Sequence, residues 1–543
     1  MRRRGAPGSG AATDDVPRRA TDSEPLDRQG RRLDQLNALN YRTLLRPRGA
    51  RSAMTDPQLT FWMPITLQLR PFGRTIGRNM KQAGAGIMWL YRVALLVLPA
   101  VTEAQLLFTT NDGAITITGY SGNPTDLNIP SATNGYPVTS IAANALSGSS
   151  TLTNLIIPGS VTNIGNRAFS YSYSLKNVSL TNGLISIGDG AFSFCYGLAS
   201  VTIPSGVTDI GEQAFFSSPL QNVTIPDTVR SIGAAGFCST WLTNIVLPHG
   251  LTNIGNSLLL ACNFLQHVTI PDTVTSIGDS AFESCYALEE PTLPVALISI
   301  GVDAFGACFT FTNLFIPANV SEIGVHAFWQ CPQLRNITVA PSNSTFSSLD
   351  GVVFDKNQTT LLFFPNGRHG NYAIPNGVTT IATSAFDLGS EIHLPGPDKV
   401  TIPASVTNIG DEAFSNCRNL AGLYFLGDAP TNVGSYVFYN DDQAVAWYLP
   451  GASGWSSTFA EIPAAPWNPK VQTGEASFGV KSNQFGFSVA GSTNLFLVIE
   501  AATNLSFPTW QPVQTNTLTN GSVYFSDPGW TNFGSRFYRL RAP

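Results

Sequence analysis

The chain is poor in charge and in several reactive residue types. Only 12% of its 543 residues are Asp, Glu, Lys or Arg, about half the usual share. It has 5 His, 5 Met and 7 Cys. The low charge excludes a highly charged disordered protein, and the scarcity of cysteine excludes a small domain held together mainly by disulfides.

The charges that are present are unevenly distributed. Residues 2–78 include 15 basic and 7 acidic residues, a net charge of +8, whereas residues 105–543 include 13 and 27, a net charge of −14. Because binding to nucleic acid needs Lys and Arg gathered on one face, we expect no nucleic-acid partner for the acidic body. Residues 1–79 are rich in Arg, Pro and Gly and lack a sustained apolar period, which predicts an unstructured leader.

Residues 80–104 have the layout of a secretory signal peptide. A basic start at Met80 precedes an apolar run at 93–101, and small residues precede an expected cut after Ala104. The apolar run is shorter than the about 20 residues that span a bilayer. The segment therefore predicts export.

Two alternatives remain at this end of the chain. A membrane anchor would have to recruit residues 106–108 across Glu103. Signal peptides act at the N-terminus, so synthesis is expected to begin at Met80 or Met88, or else residues 1–79 form a long leader. We expect contact with a membrane only through this signal or anchor.

An Ile-Gly dipeptide recurs with a period of about 23 residues, which indicates a solenoid. Its glycines are Gly165, Gly188, Gly211, Gly233, Gly255, Gly278, Gly301, Gly324 and Gly410. Ala142 and Ala382 occupy the same slot.

Each repeat also contains a segment of the type Val-Thr-Ile-Pro, as at 201–204. Its alternation predicts a short strand with one buried side, and its Pro ends the strand because it has no N–H for the ladder. We expect the Gly of Ile-Gly to permit a backbone turn, and the Ala-Phe that follows to form a short helical turn whose Phe fills the coil interior. These interior positions are Phe169, Phe192, Phe215, Phe282, Phe305, Phe328 and Phe414.

The pattern L-x-x-V-T-I-P-x-x-V-T-x-I-G-x-x-A-F-x-x-C resembles the BspA-type leucine-rich repeat of bacterial surface proteins over residues 140–467, with about eleven copies. The resemblance implies a mainly β fold, a right-handed leucine-rich-repeat solenoid, and a role in adhesion or surface recognition. Residues at about 341–372 resemble the hairpin insert that such proteins carry between repeats.

The ends of the body differ from the repeats. Residues 105–139 predict an N-terminal β cap, and residues 462–469 predict a Pro-rich linker. Strand-like runs in residues 468–543 predict a small all-β sandwich. Its ending resembles the terminal β module of secreted bacterial proteins.

Motifs for catalysis or metal binding are not found. The sequence contains no nucleophile elbow, phosphate loop, EF-hand or H-E-x-x-H spacing. We expect His249 and His267 to be solvated, and Asp350, Asp355 and Asp441 to belong to turns rather than to calcium sites. The sequence therefore predicts no catalytic residue, no cofactor and no metal site.

Six cysteines share one repeat slot, three residues after the interior residue. They are Cys195, Cys262, Cys285, Cys308, Cys331 and Cys417. Residues that share a repeat slot stack on one another inside the coil, with their side chains pointing the same way. Side chains stacked in this way rarely have the Cβ geometry that a disulfide bond requires. Buried thiols are favoured, and disulfides or a metal are the alternative.

The next slot is the main candidate for ligand binding. It contains Tyr173, Tyr196, Trp241, Tyr286 and Phe309. Aromatic rings offer a large contact area at low entropic cost, and lateral stacking between repeats is the alternative reading. A second candidate is a file of outward Thr on the predicted strands, although Thr favours strands by itself.

These features predict a non-catalytic exported or cell-surface protein for recognition or adhesion, whose partner is an extracellular protein or glycan. A secreted hydrolase acting on polysaccharide and a purely structural surface component are the alternatives.

Overall fold

The computed structural model describes residues 105–389, 394, 396–474 and 476–542, so the predicted leader and signal peptide lie outside the described residues. This part of the chain is a solenoid followed by a small β module. Its only helical element among the described residues is a 3₁₀ turn at Trp530–Asn532. No described helix is long and apolar enough to cross a membrane.

The first ladder is built from the Ile-Gly segments, and its strands pair in parallel with Ile opposite Ile, as in Ile164 with Ile187. These inward Ile side chains are buried, except for the half-buried Ile323. The strands are β2 (Ala114–Ser121), β5 (Tyr136–Ile141), β7 (Asn163–Ile164), β9 (Ser186–Ile187), β11 (Asp209–Ile210), β13 (Ser231–Ile232), β15 (Asn253–Ile254), β17 (Ser276–Ile277), β18 (Ser299–Ile300), β20 (Glu322–Ile323), β24 (Thr360–Phe363), β26 (Thr380–Ile381), β28 (Asn408–Ile409) and β30 (Asn432–Val433).

The second ladder is built from the Val-Thr-Ile-Pro segments and also pairs in parallel, with Val201 and Ile203 buried and Thr202 exposed between them. Its strands are β3 (Asp126–Asn128), β6 (Asn154–Ile157), β8 (Asn177–Leu180), β10 (Ser200–Thr202), β12 (Asn222–Thr224), β14 (Asn244–Val246), β16 (His267–Thr269), β19 (Asn313–Ile316), β21 (Asn336–Val339), β25 (Gly370–Ala373), β27 (Pro397–Ile402), β29 (Gly422–Phe425), β31 (Ala446–Tyr448) and β33 (Ile462–Pro466). Residues 290–294 form no strand, since Pro291 removes a ladder donor.

The N-terminal segment is partly a coil of the solenoid. Strands β2 and β3 pair in parallel with β5 and β6, so both ladders begin within the predicted cap at 105–139. The capping element is the antiparallel strand β1 (Gln105–Asn111), which covers β2. A two-residue strand β4 (Ala132–Thr133) pairs with β5.

The glycine of Ile-Gly is required by close packing between coils. None of these glycines has a positive φ, so the predicted reason for them is wrong. A Cβ on Gly188 would lie 2.6 Å from the side chain of Asn166 and 2.8 Å from its backbone nitrogen, in the preceding coil. Ala142 and Ala382 are tolerated in this slot where the preceding rung belongs to β2 or to the insert strand β24.

The predicted short helical turn at Ala-Phe is also wrong. Alternate N–H groups bond to the neighbouring coil, as Phe169 N–H does to the Ala191 carbonyl at 2.8 Å, while Ala168 N–H bonds locally to the Gly165 carbonyl at 3.2 Å. A helix would need every N–H to bond four residues back. The result is an irregular turn segment, with the left-handed residue Arg167 (φ 56) two positions before the interior Phe.

The insert divides the hydrophobic core. Strands β22 (Phe346–Leu349), β23 (Val352–Asp355) and β24 form an antiparallel meander, and β24 joins the first ladder beside β26. Because side chains alternate along a strand, Val353 packs in the core of the preceding coils, whereas Val352 and Phe354 pack in the core of the following coils.

The C-terminal segment is a two-sheet module. One sheet contains β34 (Lys470–Gln472), β35 (Phe478–Lys481), β36 (Gln484–Ala490) and β39 (Ser522–Asp527), and the other contains β37 (Leu495–Ala502), β38 (Gln511–Leu518) and β40 (Phe537–Arg541). Phe487 and Phe525 of the first sheet pack with Leu497 and Ile499 of the second. The predicted solenoid and sandwich are confirmed in this architecture, but each ladder has 14 rungs rather than the about eleven repeats expected, because coils at both ends depart from the Ile-Gly pattern.

The predicted linker before the module is largely a strand. Residues Ile462–Pro466 form β33, which pairs in parallel with β31 and antiparallel with β32 (Thr458–Phe459). Pro463 lies opposite Thr458 of β32, and Pro466 lies opposite Tyr448 of β31; neither Pro has an N–H to donate to the ladder.

Candidate functional site

The coil has a third side, formed by the irregular turn segments, where exposed aromatic rings gather. We call the rings on this side of the coils up to residue 309 the turn-face aromatics: Tyr171, Tyr173, Phe194, Tyr196, Phe216, Trp241, Phe264, Tyr286 and Phe309. Five of them lie in the predicted ligand-binding slot. The others lie beside it.

The rings of adjacent coils stack along the solenoid. Tyr173 and Tyr196 have ring centroids 5.3 Å apart at 11°, and Tyr171 and Phe194 have centroids 4.7 Å apart at 9°. Edge contacts join the two stacks into one cluster that also includes Phe216. Tyr173 and Tyr196 are therefore stacked between coils and exposed at the same time, because the ring faces contact each other while the outer ring edges remain in solvent.

Two smaller ring pairs continue along the same side. Trp241 and Phe264 meet edge to face with centroids 6.2 Å apart, and Tyr286 stacks on Phe309 at 4.7 Å. Tyr196, Trp241 and Phe264 are 56%, 51% and 54% exposed, whereas Tyr286 and Phe309 are half-buried. The accessible part of the surface is thus concentrated in the earlier coils.

Four of these rings were missed by the sequence analysis. Tyr171 and Phe194 lie two residues after the interior Phe, and Phe216 lies one residue after it. Phe264 follows the predicted slot directly. A search for aromatic residues at every slot of the turn segment, rather than at one column, would have found all four.

Beneath this surface, the interior rings form a continuous support. Phe169 stacks on Phe192 at 5.1 Å, Phe192 on Phe215 at 5.5 Å, and Phe282 on Phe305 at 5.1 Å. All the predicted interior positions are buried, including Phe328 and Phe414. Phe237, Leu259, Phe386 and Phe438 belong to the same column.

The slot three residues after the interior residue is a column of hydrogen-bond donors. Each of the six cysteines in it donates to the carbonyl of the interior residue in the preceding coil, as Cys285 Sγ does to Leu259 at 3.2 Å. Ser218 fills the same slot and donates to the Phe192 carbonyl at 2.6 Å.

All seven cysteines, including Cys238, are buried free thiols. Burial raises the pKa of Cys262 to about 11 and the pKa of Cys195 to about 12. A thiol with such a pKa is almost entirely protonated at neutral pH and is a poor nucleophile and metal ligand. The column is therefore suited to packing and hydrogen bonding.

A shallow groove lies along the first ladder. It has a volume of about 610 Å³ and is lined by β17, β18 and β20, with Thr345 and Phe346 of the insert at one end. Asp279 and Glu322 are its carboxylates. Asp279 Oδ1 accepts the Val302 N–H at 2.8 Å, which gives this side chain a structural role between coils.

The remaining polar residues singled out in the sequence have identifiable surroundings. His249 and His267 are exposed. Asp355 accepts hydrogen bonds from the Thr359 and Thr360 N–H groups and organises a hairpin turn of the insert. Asp441 is buried, and burial raises its pKa to about 8.

The outward file of the second ladder has different surroundings along its length. Thr202, Val246 and Phe315 are exposed. At the C-terminal end the same file contains Tyr424 and Trp447, which are in register with each other and pack in the core of the C-terminal module. This end of the file is therefore a docking surface within the chain.

Comparison with known proteins gives a family match. A family model described as "BspA type Leucine rich repeat region (6 copies)" matches residues 120–241, 230–360 and 362–452, which is more than half of the chain. The match begins before residue 140, as expected from the early start of both ladders. No match to a curated protein was found.

Solved structures with similar coils come from several bacteria. A leucine-rich repeat protein from Bacteroides ovatus is 23% identical, with a TM-score of 0.52, over 67% of this chain and 98% of that chain. A leucine rich cell surface protein from Faecalibacterium prausnitzii is 26% identical, with a TM-score of 0.40, over 67% and 94% of the two chains. Pneumococcal vaccine antigen PcpA is 18% identical, with a TM-score of 0.32, over 67% and 83%.

Proposed function

The chain belongs to the BspA-type leucine-rich repeat family, and we propose that it is a non-catalytic, exported or cell-surface recognition protein. In this proposal its turn-face aromatics bind an extracellular protein or glycan. The carrying observation is the stacked cluster of Tyr171, Tyr173, Phe194 and Tyr196, in which the three Tyr are exposed and Phe194 is half-buried.

The stacked geometry favours a protein as the partner. In a ring stack the faces are covered by neighbours, so the outer edges and the Tyr hydroxyl groups are what a partner meets. Rigid Tyr side chains that combine apolar contact with a hydroxyl are typical of protein-binding surfaces. Because the stacks are held by the coils beneath them, binding requires little additional ordering of side chains.

One pair of rings favours a glycan as the second candidate. Trp241 and Phe264 meet edge to face, an arrangement that leaves at least one ring with faces free of its partner. Both residues are about half exposed. Apolar faces of sugar rings pack on such aromatic faces.

The alternatives from other functional classes have weaker support. A polysaccharide hydrolase needs two carboxylates acting on one bond, and in the groove Asp279 is already engaged by a backbone N–H. A purely structural component would not require large exposed rings on one side of the coil, since exposed apolar clusters are unusual without a partner.

The location outside the cell is supported by the signal-like segment at 80–104 and by the family description. The Faecalibacterium prausnitzii structure is that of a protein described as a cell surface protein. We expect the secreted product to begin at or near Gln105, which N-terminal sequencing would test. Arg-rich residues from 2–79 on the extracellular product would contradict export by this signal.

The proposed surface can be tested with immobilised secreted proteins and polysaccharides. The double variant Tyr173→Ser/Tyr196→Ser should weaken capture about 30-fold or more, since a central aromatic contributes about 2 kcal/mol. The matched control is Tyr436→Ser/Tyr439→Ser, which removes an exposed edge-to-face pair on a late coil and should leave capture unchanged. Equal losses in both variants, or capture by neither protein nor glycan, would contradict the proposal, and release of product from a polysaccharide would favour the hydrolase.

A further inference from the structure

A cluster of metal-ligating side chains lies where the insert interrupts the solenoid. His326, Ser384 and Glu412 occupy the same slot in three coils on the two sides of the insert, two residues before the interior residues Phe328, Phe386 and Phe414. Asp387 follows Phe386 directly. The coils on the two sides of the insert therefore bring together residues that are far apart in the chain.

The potential ligand atoms converge on one point. One ligand atom each of His326, Asp387 and Glu412 lie within 4.8 Å of one another, and His326 Nε2 is 3.5 Å from Asp387 Oδ2. Two ligands of a tetrahedral zinc ion, each about 2.1 Å from the metal, are about 3.4 Å apart. The His–Asp spacing already fits such an ion, and the exposed Glu412 side chain can close the remaining distance.

The protonation of His326 can be inferred from its other neighbour. Its Nδ1 faces Asp303 Oδ1 at 3.7 Å, which is too long for a hydrogen bond, but the nearby carboxylate favours the tautomer with its proton on Nδ1 and a lone pair on Nε2. That lone pair then faces the Asp387 carboxylate. A carboxylate behind the imidazole is the arrangement that orients histidine ligands in metal sites.

The carboxylate of Asp387 is held in place by three donors. Trp329 Nε1–H donates to its Oδ2 at 3.1 Å, and Gly389 N–H and Asn416 Nδ2–H donate to its Oδ1 at 3.0 Å each. The His326 ring packs on Trp329, with centroids 5.3 Å apart. Two of the ligands are thus fixed before any ion binds, which lowers the cost of binding.

Several polar atoms at this point lack a hydrogen-bond partner. They are His326 Nε2, Asp303 Oδ1 and Ser384 Oγ, and all three are shielded from solvent. His326, Ser384 and Asp387 line the same small cavity. A buried acceptor without a donor is costly, and an ion bound between His326 Nε2 and Asp387 would give this nitrogen the partner that it lacks.

From this geometry we propose that His326, Asp387 and Glu412 bind a divalent transition-metal ion such as Zn²⁺, with Asp303 as the positioning residue behind His326. A donor set of one imidazole and two carboxylates suits Zn²⁺ better than Mg²⁺ or Ca²⁺, which prefer six or more oxygen ligands. The ion would link the coils on either side of the insert. The sequence predicts no metal site because these residues belong to three separate repeats and form no local motif.

The test uses the full chain, stripped with a chelator and titrated with Zn²⁺. We expect binding of one ion by calorimetry and a rise in thermal stability, and no comparable effect of Mg²⁺. Co²⁺ should give visible ligand-field bands without a thiolate charge-transfer band, which separates this site from the cysteine column. No stabilisation by Zn²⁺, or a thiolate band, would overturn the proposal.

Variants separate the ligands from the positioning residue. Glu412→Gln changes an exposed side chain, so it should fold normally and lose the stabilisation by Zn²⁺. Asp303→Asn should weaken Zn²⁺ binding by about 10- to 100-fold, the usual effect of removing a carboxylate behind a histidine ligand. The matched control is His267→Ala, which removes an exposed imidazole 3.5 Å from Glu289 and should leave binding intact. Wild-type Zn²⁺ affinity in Glu412→Gln, or equal losses in the control, would contradict the assignment.

Discussion

At the scale of single residues, the donor column explains why different residue types share one slot. The carbonyl of each interior residue is buried and needs a donor from the next coil. Cys195 and Ser218 both provide one, at 3.3 and 2.6 Å. Cysteine also fills space as a small apolar side chain, so its recurrence reflects packing and hydrogen bonding rather than redox chemistry.

Asp441 is an acidic residue in the slot that Cys or Ser occupies in other coils. It lies three residues after the interior Phe438, in the same slot as Cys417 of the preceding coil. An ionised carboxylate cannot donate a hydrogen bond, whereas a protonated one can. Burial raises the Asp441 pKa to about 8, and neither carboxyl oxygen has a hydrogen-bond partner among the described residues.

This raised pKa predicts a pH-dependent stability penalty. Between the ordinary pKa of 3.8 and about 8, the unfolded chain has lost the proton and the folded chain retains it. Folding therefore weakens by about 1.4 kcal/mol for each pH unit in this window and is constant outside it. Asp441→Asn, which is neutral and can donate, should gain stability over wild type as pH rises from 5 to 8.

The measurement is the difference in unfolding free energy between variant and wild type by denaturant titration at several pH values. Asp442→Asn is the matched control, because Asp442 is exposed beside Asp441. Its difference from wild type should stay nearly flat with pH. A flat difference for Asp441→Asn as well would mean that the Asp441 carboxyl is ionised in the folded protein.

At the scale of the coil, the element that stabilises the fold is one rung with its interior ring. Phe282 is buried and packs on Phe305 with centroids 5.1 Å apart. Phe282→Ala should lower the free energy of unfolding by about 3 to 5 kcal/mol, the usual cost of emptying a packed Phe site. Because coils contact only their neighbours, hydrogen exchange should increase in the adjacent coils first.

The control for Phe282 is another phenylalanine on the same side of the coil. Phe264 is 54% exposed, so Phe264→Ala should change stability by about 0.5 kcal/mol or less. Similar unfolding midpoints for both variants would show that the interior column is assigned to the wrong residues.

The rungs and the interior column could be predicted from the sequence because both follow from the period. Val201 and Ile203 alternate with Thr202, which predicts a strand. The interior ring, such as Phe282, stands at the same distance after Ile-Gly in many repeats. The conformation of the turn segment could not be predicted this way. Many of its hydrogen bonds go to the neighbouring coil. A side chain at Gly188 would collide with Asn166 of that coil. Both effects depend on contacts between coils, so the sequence of a single repeat does not reveal them.

The candidate surfaces were predictable only in part for the same reason. Tyr173 and Tyr196 were found because they share one slot. Phe264 was missed because it lies one position further along the coil. The cluster of His326, Asp387 and Glu412 depends on how the insert closes the coils on either side, which no local spacing encodes.

At the scale of the whole molecule, the solenoid and the C-terminal module share a core. Tyr424 and Trp447 of the last coils pack with Leu497 and Phe525 of the module. Trp467 Nε1–H donates to the Phe496 carbonyl at 3.0 Å, and the Lys399 ammonium lies 4.0 Å from the Phe496 ring centroid. The module therefore covers the outward face of the last rungs of the second ladder and buries Tyr424 and Trp447.

This shared core predicts that the module and the last coils unfold together. Trp447→Ala should lower the unfolding free energy by about 3 to 5 kcal/mol and should increase hydrogen exchange in both β31 and β37. The control is Phe507→Ala in the module, since Phe507 is 86% exposed and should affect neither strand. Faster exchange in β31 alone, with β37 as protected as in wild type, would mean that the module folds independently of the solenoid. Because each coil contacts only its neighbours, Phe282→Ala should leave the hydrogen exchange of β37 unchanged, since many intact coils separate Phe282 from the module.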